Sequence, residues 1–234
     1  MNFTIVTAVT PDYEQKLLLT LPTWKRKPQF ENQPMIIFCN GFTDYQTRFN
    51  NLWPNLKVID WDLPLSESKR ETMLSAFVIG SEKYVDTEYW CKLDCDSFFT
   101  NSVDLFEEND FGYDLCTSGW KYSFTKDLIK IKEWVNNKNI PGKCPLDNMI
   151  LDPNTKLTGH KRIISWCCMH KTDFVKEVIS YIGNEKMPCP SHDTLLWYFA
   201  ERLPNRKWHR KRLKHLGSNT KTRINSIRTM LEQL

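Results

Sequence analysis

The sequence predicts an α/β domain, a mostly parallel central sheet flanked by helices. Three observations carry that reading. Short apolar runs alternate with segments of helical period along the first half of the chain, and strand–helix–strand alternation calls for a parallel sheet covered on both faces. The runs are continuously apolar, as in Met35-Ile36-Ile37-Phe38-Cys39, where a half-exposed strand would alternate. With 234 residues, 41% hydrophobic and 13% aromatic, the chain fits one domain with a large core.

The elements follow in order. Phe3 to Val9 (FTIVTAV) is rich in β-formers and reads as the first strand. Thr10-Pro11-Asp12 breaks it and opens a helix from about Tyr13 to Leu21, with Leu17, Leu18 and Leu21 on its apolar face. Met35 to Cys39 is a buried strand closed by the turn residues Asn40-Gly41, and Phe42 to Leu52 reads as a short helix. Lys57 to Trp61 makes a third strand. Ser68 to Gly80 is helical, with Met73, Ala76, Phe77 and Ile79 on one side and Gly80 at its end. Glu88 to Leu93 is the fourth strand.

The second half is less regular. It reads as a strand at Tyr113 to Ser118, a helix at Asp127 to Asn136, a polar loop at Asn137 to Lys143 and a strand at Ile163 to Met169. An amphipathic helix follows at Thr172 to Ile182, with Gly183 just past its end. After a turn at Pro188 to Ser191 comes a helix from His192 to Leu203, then Pro204, a basic run from Arg206 to Lys214 and a C-terminal helix over Thr220 to Leu234.

Asp94-Cys95-Asp96 stands at the end of the fourth strand. Side chains at i and i+2 of a strand project to one face. Two such carboxylates repel unless a cation sits between them. Carboxylate oxygens suit hard divalent ions such as Mg²⁺ and Mn²⁺, which keep positions open for phosphate oxygens. Ligands of open parallel sheets bind outside the carboxyl ends of the strands, where this pair falls. The competing reading is a helix cap or turn.

Composition narrows the partners. Net charge is +4, compatible with an anionic ligand and too weak to argue for nucleic acid without a focused patch. The 8 Cys fall mostly in apolar runs with no Cys-x-x-Cys pair, the pattern of buried free thiols in a reducing compartment. A zinc site would have to use Cys189 and His192 without a second properly spaced ligand pair. The N-terminus opens on a strand, with no signal-peptide pattern and no apolar run of about 20 residues, so a soluble, cytoplasmic protein is expected.

The first strand FTIVTAVT, the parallel half-sheet and the strand ending KLDCDSFF together resemble the nucleotide-sugar-dependent glycosyltransferases of the GT-A fold, of bacterial or viral type. The resemblance runs from Phe3 to about Asn219 on short motifs whose order is worth more than any one of them. It implies one GT-A-like catalytic domain: a nucleotide-sugar-binding half over 1–100, an acceptor-side half over 101–219, and a C-terminal helix over 220–234. It implies Mn²⁺ or Mg²⁺ held by Asp96 first and Asp94 second, with Asp94 alternatively holding ribose or donor-sugar hydroxyls. His215, in His215-Leu216-Gly217, fits the slot of a third metal ligand. Thr7, Ala8 and Val9 match the place of base and ribose, Lys69 and Arg70 face diphosphate or donor sugar, and Lys214 and Lys211 meet phosphate oxygens. Asp193 fits the slot of an acid facing the acceptor, which makes it the candidate general base of an inverting enzyme, with a plain helix cap as the rival reading. UDP-sugars come first as donors and GDP-sugars next, with a glycan, lipid or protein-linked sugar as acceptor.

Several other residues stay open. Asp12 suits a base contact or a helix cap, and Asp147 is a rival acid in the acceptor half. Trp120, Tyr122, Trp166 and Trp197 could stack on sugars, Trp120 being the one expected at the surface. The basic run reads as a solvated face or a loop that folds over a diphosphate. The competing functions are a nucleotidyltransferase using the same carboxylates, a nucleic-acid-binding module using the basic run, and a sugar-binding scaffold that has lost catalysis. The first of these commonly carries a Gly-rich or basic signature after the first strand, and Thr10-Pro11-Asp12 lacks one.

Overall fold

The computed structural model describes residues 2–61, 75–99, 104–117, 125–148, 167–183, 192–211, 216–217 and 229. Its centre is a seven-stranded sheet. The strands are β1 (Phe3–Val9), β2 (Met35–Cys39), β3 (Leu56–Asp60), β4 (Tyr89–Leu93), β6 (Leu115–Thr117), β7 (Cys167–Lys171) and β8 (Trp208–Arg210), in the order β3-β2-β1-β4-β7-β6-β8. β1 runs parallel to β2 and β4, and β2 to β3. β7 is antiparallel to both β4 and β6, and β8 returns parallel to β6. A separate pair joins β5 (Ser97–Phe98) to β9 (Leu216–Gly217).

The helices are α1 (Glu14–Lys25), α2 (Tyr45–Arg48), α3 (Ser81–Tyr84), α4 (Thr125–Asn137), α5 (Thr172–Ile182) and α6 (His192–Arg202). A π-helical turn over Ala76–Gly80 leads into α3. Strand alternation sorts the core into two layers. Tyr89, Cys91 and Leu93 join Leu17, Leu21 and Trp24 of α1 on one face. Trp90 faces the other way, into the layer built by Phe77, Phe174, Val178, Leu195 and Phe199.

The strands Phe3–Val9 and Met35–Cys39 and the helix Thr172–Ile182 have the predicted bounds. Other elements differ for identifiable reasons. α1 continues through Pro22 to Lys25 because Trp24 is fully buried and donates its Nε1–H to Ser97 O at 2.6 Å. Leu18, whose carbonyl Pro22 cannot serve, is on the exposed side. Only Tyr45–Arg48 of the expected Phe42 to Leu52 segment is helical. Gly80 does not end its helix; it lets the helix approach β2, since a Cβ there would lie 2.7 Å from the Phe38 ring. β7 runs on to Lys171 because His170 and Lys171 pair with Trp90 and Tyr89. Part of the basic run is neither loop nor solvated face: Trp208–Arg210 is the edge strand β8. Within the C-terminal segment only Thr229 is described, so the helix expected there lies outside the described residues, as do the starts of the helix at Ser68 and the strand at Ile163 and the turn at Pro188.

Candidate functional site

The site grows from the carboxyl end of β4, between its parallel neighbour β1 and its antiparallel neighbour β7. The strand stops at Leu93, so Asp94 and Asp96 stand in a turn closed by Ser97 N–H donating to Asp94 O at 2.9 Å. This corrects the expectation that both carboxylates project from a strand. α1 holds the turn: Thr20 Oγ1 donates to Cys95 O at 2.9 Å, beside the Trp24 bond to Ser97 O.

The two carboxylates differ in their surroundings. Asp94 Oδ1 lies 2.8 Å from Lys92 Nζ. Asp96 forms no ion pair among the described residues, and burial, followed by the neighbouring charge of Asp94, pushes its carboxyl above the ordinary aspartate range. A cation would relieve both effects, so the residues present fit a divalent ion. Among the described residues no group of three His, Cys, Asp or Glu side chains could hold a metal. His215, the expected third ligand, lies outside the described residues, but Leu216, which follows it, pairs with Phe98 two residues after Asp96.

Lys92 is the residue that the sequence reading passed over. Alternation turns it, like Trp90, into the layer beneath α6, and its side chain is 3% exposed. Its Nζ stands 5.1 Å from the centroid of the Phe77 ring and 3.7 Å from Asp193 Oδ1. Burial alone would lower the ammonium pKa; the carboxylates of Asp193 and Asp94 outweigh it and hold the group above its ordinary value. The available signal was a lysine inside the otherwise apolar run Tyr89-Trp90-Cys91-Lys92-Leu93, since a buried charge demands a partner.

Asp193 enters from the first turn of α6, which starts at His192, so it sits inside the helix and not ahead of it as a cap. Its Oδ1 is 2.6 Å from Nε2 of His192, a fully buried ring that packs on Phe77 at 5.1 Å between centroids. His170 stacks on Trp90 at 4.1 Å, also fully buried. Burial drives both histidines below their ordinary pKa, His170 furthest, so both are neutral.

Other expected residues are placed as follows. Thr7, Ala8 and Val9 form the buried carboxyl-terminal part of β1 beside β2. Asp12 is exposed in a 3₁₀ turn, Pro11–Tyr13, and Tyr13 precedes α1, so Asp12 is not its cap. Asp147 is a structural acid: it accepts from Tyr198 Oη at 2.5 Å, from Arg202 at 2.7 Å and from Cys144 N–H at 2.8 Å. Trp197 is buried against Trp208 and belongs to the core. Lys211 is engaged by Asp110 and Glu107, and Arg206 by Asp114 and Glu177, so these two charges of the basic run serve the fold. Lys69, Arg70, Lys214, Trp120, Tyr122, Trp166 and Cys189 lie outside the described residues.

No family model matches this chain, and no curated protein matches it. Solved structures do. Core-mannan synthase A from Aspergillus fumigatus, in its Mn/GDP form, superposes with a TM-score of 0.62 at 12% identity, over 89% of this chain and 72% of that one. The mannosyltransferase Ktr4p from S. cerevisiae in complex with GDP gives 0.56 at 12% identity, over 88% and 68%. A 4-diphosphocytidyl-2C-methyl-D-erythritol synthase from Anaerococcus prevotii gives 0.58 at 10% identity, over 99% and 98%. At such identities the likeness is one of fold. The chain has the Rossmann-like GT-A fold, a mostly parallel sheet flanked by helices.

Proposed function

We propose that this chain is a metal-dependent glycosyltransferase, moving a hexosyl or deoxyhexosyl group from a nucleoside-diphosphate sugar to a hydroxyl of a carbohydrate or glycoconjugate. The observation that carries it is the grouping of Lys92, Asp94 and Asp193, with Asp96 in the same turn, at the carboxyl end of the central strand. Fold alone would not do so, since the same fold serves unrelated chemistries.

Asp96 is the first metal ligand in this reading, because its carboxylate has no ion pair among the described residues. Asp94 is the second and also reaches donor or ribose hydroxyls; His215 is the third. Bound there, Mn²⁺ or Mg²⁺ offsets the charge that gathers on the departing diphosphate. Lys69, Arg70 and Lys214 are proposed to meet the donor, and the end of β1 at Thr7, Ala8 and Val9 to receive base and ribose. Lys211 is omitted because Asp110 and Glu107 hold it.

Asp193 is proposed as the base that takes the acceptor hydroxyl's proton in an inverting transfer. An ammonium, that of Lys92, stands 3.7 Å from its Oδ1. UDP- and GDP-sugars are the donors to try first; the GDP-bound neighbours of similar fold put GDP level with UDP. No described helix is long and apolar enough to cross a membrane.

Calorimetric titration of UDP-, GDP-, CMP- and dTDP-sugars, with and without Mn²⁺, tests the reading on the wild type and on Asp96→Ala. One donor binding only with metal, and lost in Asp96→Ala, supports it. No donor binding under any metal condition overturns it. The likeness to the Anaerococcus synthase over nearly the whole of both chains favours a nucleotidyltransferase as second reading. Release of pyrophosphate from a nucleoside triphosphate and a sugar phosphate would establish that activity instead.

A further inference from the structure

We propose that Lys92 is a positioning residue that couples the metal end of the site to the acceptor end, by sharing one buried ammonium between Asp94 and Asp193. This rests on the glycosyltransferase reading. The side chain is 3% exposed, so its charge has no solvent to fall back on. Its described carboxylate neighbours are Asp94 Oδ1 at 2.8 Å and Asp193 Oδ1 at 3.7 Å, one on the turn after β4 and one in the first turn of α6. The Phe77 ring lies 5.1 Å from the ammonium and itself packs on His192, so an aromatic wall flanks the ammonium beside the two carboxylates.

The sharing has a direction. The ammonium is closer to Asp94 than to Asp193. A divalent ion on Asp94 and Asp96 competes for the same oxygens and repels the ammonium, which then turns to Asp193. Loading the metal thus strengthens the hold on the residue proposed to face the acceptor. Conversely, removing the charge of Asp193 makes the ammonium lean more on Asp94, which makes Asp94 a poorer metal ligand. Reciprocal coupling of this kind follows from linkage.

A double-mutant cycle on Mn²⁺ affinity tests this, using calorimetry with Mn²⁺ alone on wild type, Asp193→Asn, Lys92→Met and the double variant. With Lys92 in place, Asp193→Asn should weaken Mn²⁺ binding by about tenfold, the scale of one unit charge a few ångströms away in a partly screened site. In the Lys92→Met background the same substitution should cost about threefold or less, since only its own charge is lost. Equal effects in both backgrounds overturn the proposal. So does an unchanged Mn²⁺ affinity in Asp193→Asn alone, which needs no Lys92 variant. Should Lys92→Met not unfold cooperatively, Lys92→Gln, which keeps a donor without the charge, takes its place in the cycle. Donor titration with metal decides the glycosyltransferase reading separately: a chain that binds donor with Mn²⁺ but shows no cycle coupling keeps that function and loses this role for Lys92.

Discussion

Asp94 and Asp96 sit two residues apart and differ in what holds them, so their removal should differ too. Asp96→Asn is expected to abolish Mn²⁺-dependent donor binding, a loss of about a hundredfold or more, while leaving the fold intact. Asp94→Asn should weaken Mn²⁺ by only about tenfold, because Lys92 already holds part of that charge; calorimetry on both variants checks the order. Lys92→Ala leaves the carboxylate of Asp193, 8% exposed, without its ammonium, and should lower unfolding free energy by about 3 kcal/mol in urea titration. The position of the acid pair, just past the fourth strand, was legible in the sequence because the apolar run Tyr89 to Leu93 stops there. Lys92 was not. One lysine in a five-residue run carries no period, and only the approach of α6, distant in sequence, reveals what it pairs with.

At the level of elements, the acceptor side depends on how α6 is tied to the loop after α4. Asp147 binds Tyr198 and Arg202 of α6 and the backbone N–H of Cys144, while Arg202 also donates to Ile140 O. Gly142 has φ of +86°, and a Cβ there would fall 1.8 Å from Arg202 O. Gly142→Ala should therefore destabilise by about 2–4 kcal/mol, combining left-handed strain with a backbone clash. Asp147→Ala should cost about 3 kcal/mol and leave Mn²⁺ affinity unchanged, which separates it from Asp193; thermal unfolding and metal titration on each variant check both statements. Elements whose apolar pattern and end signals agree, such as Thr172–Ile182 before Gly183, were readable from sequence. The helix expected to stop near Leu21 runs on through Pro22 because Trp24 is buried, and Gly80, expected as a helix end, instead serves close packing on the Phe38 ring. β8 could not be read, since its three residues are only half-buried, two of them are polar, and its strand form exists through pairing with β6.

Across the whole molecule, the layer above β4 and β7 contains two neutral, fully buried histidines, His170 and His192. Their pKa values are lowered in the fold, so below the unfolded value of about 6.5 the unfolded chain binds more protons than the folded one and stability falls. Between pH 7.5 and 5.5 the loss should be about 2 kcal/mol in urea unfolding, and His170→Phe should reduce it by about half. The parallel half of the sheet was legible from the alternation of strand and helix. The antiparallel insertion of β7 was not, because nothing local distinguishes a strand that returns from one that continues. That insertion has a kinetic consequence. β4 lies between β1, some eighty residues earlier in the chain, and β7, a similar span later, so its two ladders close only after large loops have been gathered in. Such a topology folds slowly for its size. Meanwhile Cys39, Cys91, Cys95, Cys116, Cys144, Cys167 and Cys168, all buried as free thiols in the finished structure, are open to solvent. Renaturation from denaturant should accordingly give its full yield only in the presence of a reductant, with cross-linked, inactive chains collecting in its absence.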